Sequence, residues 1–225
     1  MTFTLDEERE ARTGLPEAIL CEGKRVQDIE AILGASAGRR RFFTRLSEHQ
    51  YGSLGDAHRK ALDYDPLSRT AIFGEVPQTV GADVAIVTAG TADLPVAAEA
   101  ARTLRFAGKG STMIADVGVA GLWRLLDRLE EVRAHEVVIA VAGMEGALFS
   151  VLGGLIAAPI IAVPSPNGYG VAQDGRGALS SALASCAPGV ATMNIGNGYG
   201  AAAAALRILH AIDSRSGKPL GHSPT

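Results

Sequence analysis

Five apolar runs of four to six residues, rich in Val and Ile, recur between residues 83 and 195, and each gives way to a glycine-bearing turn. They are Asp83–Thr88, Thr112–Val117, Glu136–Val141, Pro159–Val163 and Val190–Ile195. A run this short, with little polar alternation, suits a strand buried on both faces, as strands of a parallel sheet are. The intervening stretches Leu94–Phe106, Gly121–Val132, Ala147–Leu155 and Gly177–Ser185, with Gly200–Ser214 closing the series, have helical length. Strand, turn and helix repeated in this order predict βαβ units and an α/β fold with a parallel sheet. Right-handed crossovers then align the post-strand turns along the carboxyl edge, where open α/β sheets bind ligands. Those turns are Ala89–Asp93, Gly118–Gly121, Gly143–Gly146, Pro164–Gly170 and Gly196–Gly200.

Residues 1–80 read differently, with clustered charge and short mixed elements. Helices are expected at Leu5–Arg12 and Val26–Leu33, a strand at Phe42–Leu46, and a Ser-capped helix over Ser47–Leu62. Gly14 to Lys24 reads as an extended piece punctuated by Gly and Pro. The expected organisation is a small α+β appendage over 1–80, an α/β domain over 81–214 and a disordered tail over 215–225. With 225 residues and 47% hydrophobic content the chain can bury a sizeable core. A net charge of −3 argues against a nucleic-acid partner. Without an apolar run of about 18 residues or a signal-peptide core, a cytoplasmic protein with no membrane partner is expected. Cys21 and Cys186 lie far apart and are too few for a zinc site, so a disulfide is the less favoured use.

Several residues at these turns have the chemistry of a site. Glu145 occupies a Gly-Met-Glu-Gly turn after a fully apolar strand, where packing gains nothing from a carboxylate. Asp93 and Asp116 close the first two strands, although capping the next helix also accounts for Asp93. Asp116 and Glu145 would be neighbours on the edge and could hold a divalent cation between them. The amides of Gly90-Thr91 and Gly198–Gly200, each at a helix start, suit phosphate. Cys186 is either a nucleophile or a small packed thiol, and Lys24 is either part of a connector or a ligand for an acidic substrate. There is no Walker A motif, and Gly196-Asn-Gly-Tyr-Gly200 lacks the dinucleotide spacing.

At these motifs the chain resembles the LarB family, the pyridinium-3,5-biscarboxylic acid mononucleotide synthases of nickel-pincer cofactor assembly, whose C-terminal domain is similar to PurE, the aminoimidazole ribonucleotide carboxylase. The resemblance runs through Gly14-Leu-Pro-Glu17, Glu22-Gly-Lys24, Tyr64-Asp-Pro66, Thr88-Ala-Gly-Thr91, Asp93-Leu-Pro95 and Asp116-Val-Gly-Val-Ala-Gly121. It continues in Ala142-Gly-Met-Glu-Gly-Ala-Leu148, Gly168-Tyr-Gly170, Ser185-Cys186 and Asn197-Gly198. It implies a three-layer, flavodoxin-like, PurE-like sheet that assembles as a homo-oligomer, from dimer to octamer. It further implies carboxylation of C5 of the pyridinium ring of nicotinic acid adenine dinucleotide by CO2 or bicarbonate, with phosphoanhydride hydrolysis releasing AMP.

Under this resemblance Cys186 is the catalytic thiol, which adds to the electron-poor ring and makes it nucleophilic. Glu145 and Asp116 handle protons and Mg2+. Substrate contacts fall to Lys24, Gly90, Thr91, Asp93, Gly118, Gly121, Gly143, Met144, Gly168, Tyr169, Gly170, Asn197 and Gly198. The sequence departs from the family pattern at Ala92, at Phe149 (usually Pro), at Ser165-Pro166-Asn167 (usually Thr-Ser-Val), in the more polar loop Val171–Arg176, and at Gly196 (usually Asp). The alternatives are a relative acting on another pyridine dinucleotide, a PurE-type mutase of an imidazole ribonucleotide, and a non-catalytic nucleotide-binding protein.

Overall fold

The computed structural model describes residues 3–215 and contains two sheets, one mixed and one wholly parallel. Of the tail expected over 215–225, Arg215 closes the last helix and residues 216–225 lie outside the described residues. The N-terminal unit comprises α1 (Arg9–Thr13), β1 (Ala18–Leu20), α2 (Val26–Gly34), β2 (Arg41–Thr44), α3 (Glu48–Gly52), α4 (Asp56–Lys60), β3 (Leu62–Asp65) and β4 (Thr70–Phe73). Its strands lie in the order β1-β2-β4-β3, with β1 parallel to β2 and the other pairs antiparallel. The single helix expected over Ser47–Leu62 is instead two short helices. Ser47 and Gln50 form a reciprocal capping box at the start of α3. Gly52, Ser53 and Gly55 then interrupt the run, and Leu62 is drawn into the core as the first residue of β3.

One face of this sheet packs Ile19, Ile29, Leu33, Phe43 and Leu46 around a fully buried Cys21. The other face presents Phe42 to Phe106 and Tyr199, with ring centroids 5.4 Å and 6.3 Å away. Burial on both faces is why β2 (Arg-Phe-Phe-Thr) lacks an apolar/polar alternation.

The second unit comprises β5 (Val80–Thr88), α5 (Leu94–Phe106), β6 (Lys109–Ile114), α6 (Leu122–Asp127), α7 (Leu129–Arg133), β7 (Val137–Ala142), α8 (Ala147–Leu155), β8 (Ile160–Pro164), α9 (Arg176–Leu183), β9 (Val190–Thr192) and α10 (Gly198–Arg215). All neighbouring strands are parallel, in the order β6-β5-β7-β8-β9, which is the flavodoxin-like arrangement. Val84, Ile86, Ile139, Val141, Ile161 and Val163 face α5 and α10. Ala85, Val87, Val138, Ala140, Ile160 and Ala162 face α6 to α9. This double burial is the cause of the unbroken apolar runs.

β6 begins three residues earlier than expected, after the left-handed Gly108 (φ 76°), so that Asp116 lies beyond the strand end. The helix expected over Gly121–Val132 breaks at Arg128, whose φ of −111° is not helical. The two units meet on α5 and α10. Arg40 donates to the Phe106 carbonyl (2.6 Å), Arg102 to Thr70 Oγ1 (2.7 Å) and Arg105 to Asp63 (2.9 Å). The carboxylate of Glu99, 5% exposed on α5, accepts from Thr44 Oγ1 and from the Tyr199 N–H (3.2 Å), which ties β2 to the first turn of α10.

Candidate active site at the carboxyl edge

The chain enters the parallel sheet at β5, moves outward to β6, and crosses back to β7 on the other side of β5. The carboxyl ends of β5 and β7 therefore flank the topological switch point, where such sheets leave a ligand crevice. On the β5 side, Asp93 is 4% exposed, and its carboxylate accepts from the Gly90 N–H (2.9 Å) and from Asn167 Nδ2 (3.2 Å). Both oxygens are thus engaged in holding the turn, while Thr91 and Ala92 stay exposed. On the β7 side, Met144 (φ 51°) and Gly146 (φ 63°) are left-handed and swing the Gly143–Gly146 turn outward. Met144 and Glu145 are exposed, and the Glu145 carboxylate makes no hydrogen bond or ion pair with any described residue.

Asn167 joins these turns. Its carbonyl accepts from the Met144 N–H (2.8 Å), and its Nδ2 donates to the Ala92 carbonyl (2.7 Å) and to Ser165 Oγ (2.6 Å). The backbone of Gly143 approaches it so closely that a Cβ there would lie 2.0 Å from the Asn167 oxygen. Only glycine fits at that point. Asn167, one of the departures from the family pattern, is therefore a strut between β5, β7 and β8. Phe149, the other bulky departure, is fully buried under the Gly146 turn and belongs to the core.

Asp116, left-handed at φ 59°, is paired with Arg124 Nη1 at 2.6 Å. Gly121 makes room for that guanidinium, since a Cβ there would lie 2.8 Å from Arg124 Nε. Among the described residues no three His, Cys, Asp or Glu side chains gather into a metal-type cluster. A Mg2+ ion needs few protein ligands when it also binds substrate phosphates, so the unpartnered Glu145 fits as a donor. Asp116 would first have to exchange its arginine.

The expected phosphate cradles are only partly open. The Gly90 amide is taken by Asp93. In the first turn of α10, Tyr199 N–H donates to Glu99 and Gly200 N–H to Asn197 Oδ1 (2.8 Å), while Gly198 is pressed against the Val96 carbonyl. Asn197 and Gly198 thus stand at a helix start whose Tyr199 and Gly200 amides are engaged by protein groups. Gly118 packs on the Ala89 carbonyl and Gly168 on that of Ala172, so both serve close backbone approach. Tyr169 (77% exposed) and Gly170 project from the loop after β8.

The two cysteines part company. Cys21 has no exposure, and burial pushes its thiol up to about 12. Cys186 is exposed. It lies in the connection from α9 into β9, on the amino side of the sheet, and not on the carboxyl edge with the turns as expected. Its neighbour Ser185 bonds Ser150 Oγ (2.8 Å), and Ala187 packs against Gly153. Gly153 is well down α8, about 9–10 Å from the helix start at 1.5 Å per residue. Within one chain the thiol and the switch-point carboxylates are not brought together.

The N-terminal unit carries two cations on the turns after β1 and β2, and one of them reaches the edge. Lys24, singled out as a ligand, is exposed and unpaired on the turn after β1. Arg45, not singled out, donates from Nη2 to the Gly196 carbonyl (3.1 Å). No local pattern marks Arg45, Arg124 or Asn167, because their partners are 151, 8 and 75 residues away.

The AIR carboxylase profile matches residues 83–222, and the LarB/PurE-like N-terminal domain profile matches residues 2–75. The chain belongs to the LarB family. An uncharacterized protein of Methanocaldococcus jannaschii is 36% identical over 207 residues, which cover 88% of this chain and 80% of that one. Membership of the PurE/LarB group assigns this LarB-family protein a carboxylase-type activity. Among the described residues no helix is long and apolar enough to cross a membrane.

Proposed function

We propose that this LarB-family protein carboxylates C5 of the pyridinium ring of nicotinic acid adenine dinucleotide and hydrolyses the phosphoanhydride, releasing AMP. The observation that carries this reading is the contrast between the thiols: the one at the family's cysteine position, Cys186, is open to solvent, while Cys21 is sealed in the core. The thiolate of Cys186 adds to the ring carbon next to C5, and the resulting enamine attacks CO2 through C5, forming the new C–C bond. Loss of the C5 proton and expulsion of the thiolate restore the aromatic ring, so the cysteine is regenerated and one proton is released. The unpartnered Glu145 is the group at the switch point able to take that proton or to orient water at the phosphoanhydride. Mg2+ held by Glu145, Asp116 and the diphosphate would supply charge neutralisation for the hydrolysis.

The placement of Cys186 adds a condition to this reading: the thiol that serves one carboxyl edge comes from a neighbouring copy. The outer layer supports such assembly. α8 (Ala-Leu-Phe-Ser-Val-Leu-Gly-Gly-Leu) carries no charge on any face, and Trp123 and Leu183 on the flanking helices are 65% and 71% exposed. Mixing two inactive variants tests both points. Cys186→Ser and Glu145→Gln, each unable to release carboxylated product alone, should regain activity when dissociated and reassembled together. No activity in wild-type enzyme with nicotinic acid adenine dinucleotide and bicarbonate would end the functional reading. Activity in wild type with none in the mixture would end the shared site only.

A further inference from the structure

Arg45 reaches from the N-terminal unit to the turn after β9, and its backbone is held in a conformation that arginine rarely adopts. It follows β2 directly and is left-handed, at φ 53°. This turn redirects the side chain off the end of the mixed sheet and toward the turn after β9, where Nη2 meets the Gly196 carbonyl at 3.1 Å. The guanidinium has five N–H donors. Among the described residues its one hydrogen bond is that to Gly196, and Nη1 forms an ion pair at 3.5 Å with Glu22, whose side chain is 62% exposed. The Arg45 side chain is itself only 33% exposed, and its counter-ion Glu22 is a solvent-exposed carboxylate that an anionic ligand can displace. The unpaired Lys24 lies in the same corner, because Cys21 N–H bonds the Thr44 carbonyl (2.9 Å) and Lys24 N–H bonds the Cys21 carbonyl (2.9 Å).

Gly196 completes the arrangement. A Cβ at this position would sit 3.8 Å from Arg45 Nη2, so any acidic side chain here would pair with the guanidinium. Glycine puts no side chain between the guanidinium and Pro166, whose Cδ lies 3.9 Å from the same Cβ position. A planar fork of donors in a partly desolvated corner favours a carboxylate or a phosphate, which it can grip with two bonds.

We propose that Arg45 binds an anionic group of the substrate, closing the carboxyl-edge site from the N-terminal unit, with Lys24 adding positive charge. This rests on the pyridine-dinucleotide reading above. Two parts of that substrate have the required chemistry, the ring carboxylate and the diphosphate.

Equilibrium binding by calorimetry separates the outcomes, using nicotinic acid adenine dinucleotide, nicotinamide adenine dinucleotide and AMP as probes on wild type, Arg45→Gln and Gly196→Asp. Arg45→Gln should weaken binding by about tenfold to a hundredfold, the range for a lost charge-assisted bond. Weakening confined to the acid dinucleotide assigns the ring carboxylate, and weakening of all three probes assigns the phosphates. Gly196→Asp leaves Arg45 in place but occupies it, and should weaken the same probes with an unchanged melting temperature. Its positive φ is one that Asp tolerates better than most residues. Wild-type affinity for every probe in both variants would overturn the role of Arg45 while leaving the functional reading standing. Failure of wild type to bind any probe would overturn the dinucleotide reading and this assignment with it.

Discussion

Substituting Gly143 by Ala should loosen the whole switch point, and the cost can be worked out from the contacts there. The added Cβ would lie 2.0 Å from the Asn167 carbonyl oxygen and 3.0 Å from its carbon, so the Asn167 backbone must retreat by more than 1 Å to reach ordinary contact distance. That retreat breaks the Met144 N–H bond to the same oxygen (2.8 Å) and pulls Nδ2 away from the Ala92 carbonyl (2.7 Å) and from Asp93 (3.2 Å). Three bonds at about 0.5–1.5 kcal/mol each give a loss of about 2–4 kcal/mol. For a chain of this size that is a fall in melting temperature of about 4–15 °C. Thermal unfolding followed by circular dichroism provides the assay, with Asn167→Ala as the partner variant. Asn167→Ala removes only the side-chain bonds and should cost less, and the double variant should cost less than the sum, because both act on the same strut. Gly154→Ala is the internal control. It lies in α8 with open space around it, so the alanine should stabilise by about 0.5–1 kcal/mol through helix propensity. A Gly143→Ala protein that melts within 2 °C of wild type, by order-of-magnitude scaling, would refute the close-approach argument.

The two thiols should differ in reactivity. In the native protein a disulfide-exchange reagent should titrate one thiol, Cys186, and the second only after denaturation; two fast thiols would contradict the burial of Cys21. The raised pKa of Cys21 has a definite sign for stability. A thiol whose folded pKa lies near 12 against an ordinary 9.0 contributes stability below pH 9 that is lost as pH climbs toward 12. The loss amounts to at most about 4 kcal/mol. Denaturant midpoints of Cys21→Ala should therefore fall less steeply with pH than those of wild type across that window, and an identical slope would count against it. In the carboxylation assay Cys186→Ser should lose carboxylated product, since a serine hydroxyl is scarcely ionised near neutral pH, while AMP release persists at a reduced rate. Full carboxylation by Cys186→Ser would remove the covalent step.

Much of the architecture was legible before folding because double burial leaves a local trace. β7 and β8 must be apolar at every position, so their spans were readable to within a residue, as were those of α5 and α8. The N-terminal unit was harder. Its strands are three or four residues long, and β3 and β4 carry polar ends that resemble loop, so only β1 and β2 left any signal. In the site, the turn residues Asp93, Asp116 and Glu145 could be placed on one edge because a parallel sheet puts every post-strand turn there. The same topology puts Cys186 on the other side, since a residue that precedes a strand enters at its amino end. Partners remained hidden for the same physical reason. Whether a carboxylate or a backbone amide is free depends on what another element brings to it. Arg124 occupies Asp116, Asn167 and Gly90 occupy Asp93, and Glu99 and Asn197 occupy the first amides of α10. Periodicity and glycine spacing determine which way the chain runs and where it turns, because those are local steric and burial demands. Which of its polar groups remain open to a ligand was decided only by tertiary packing, which left Glu145, Thr91 and Lys24 exposed and carried Arg45 to the Gly196 turn.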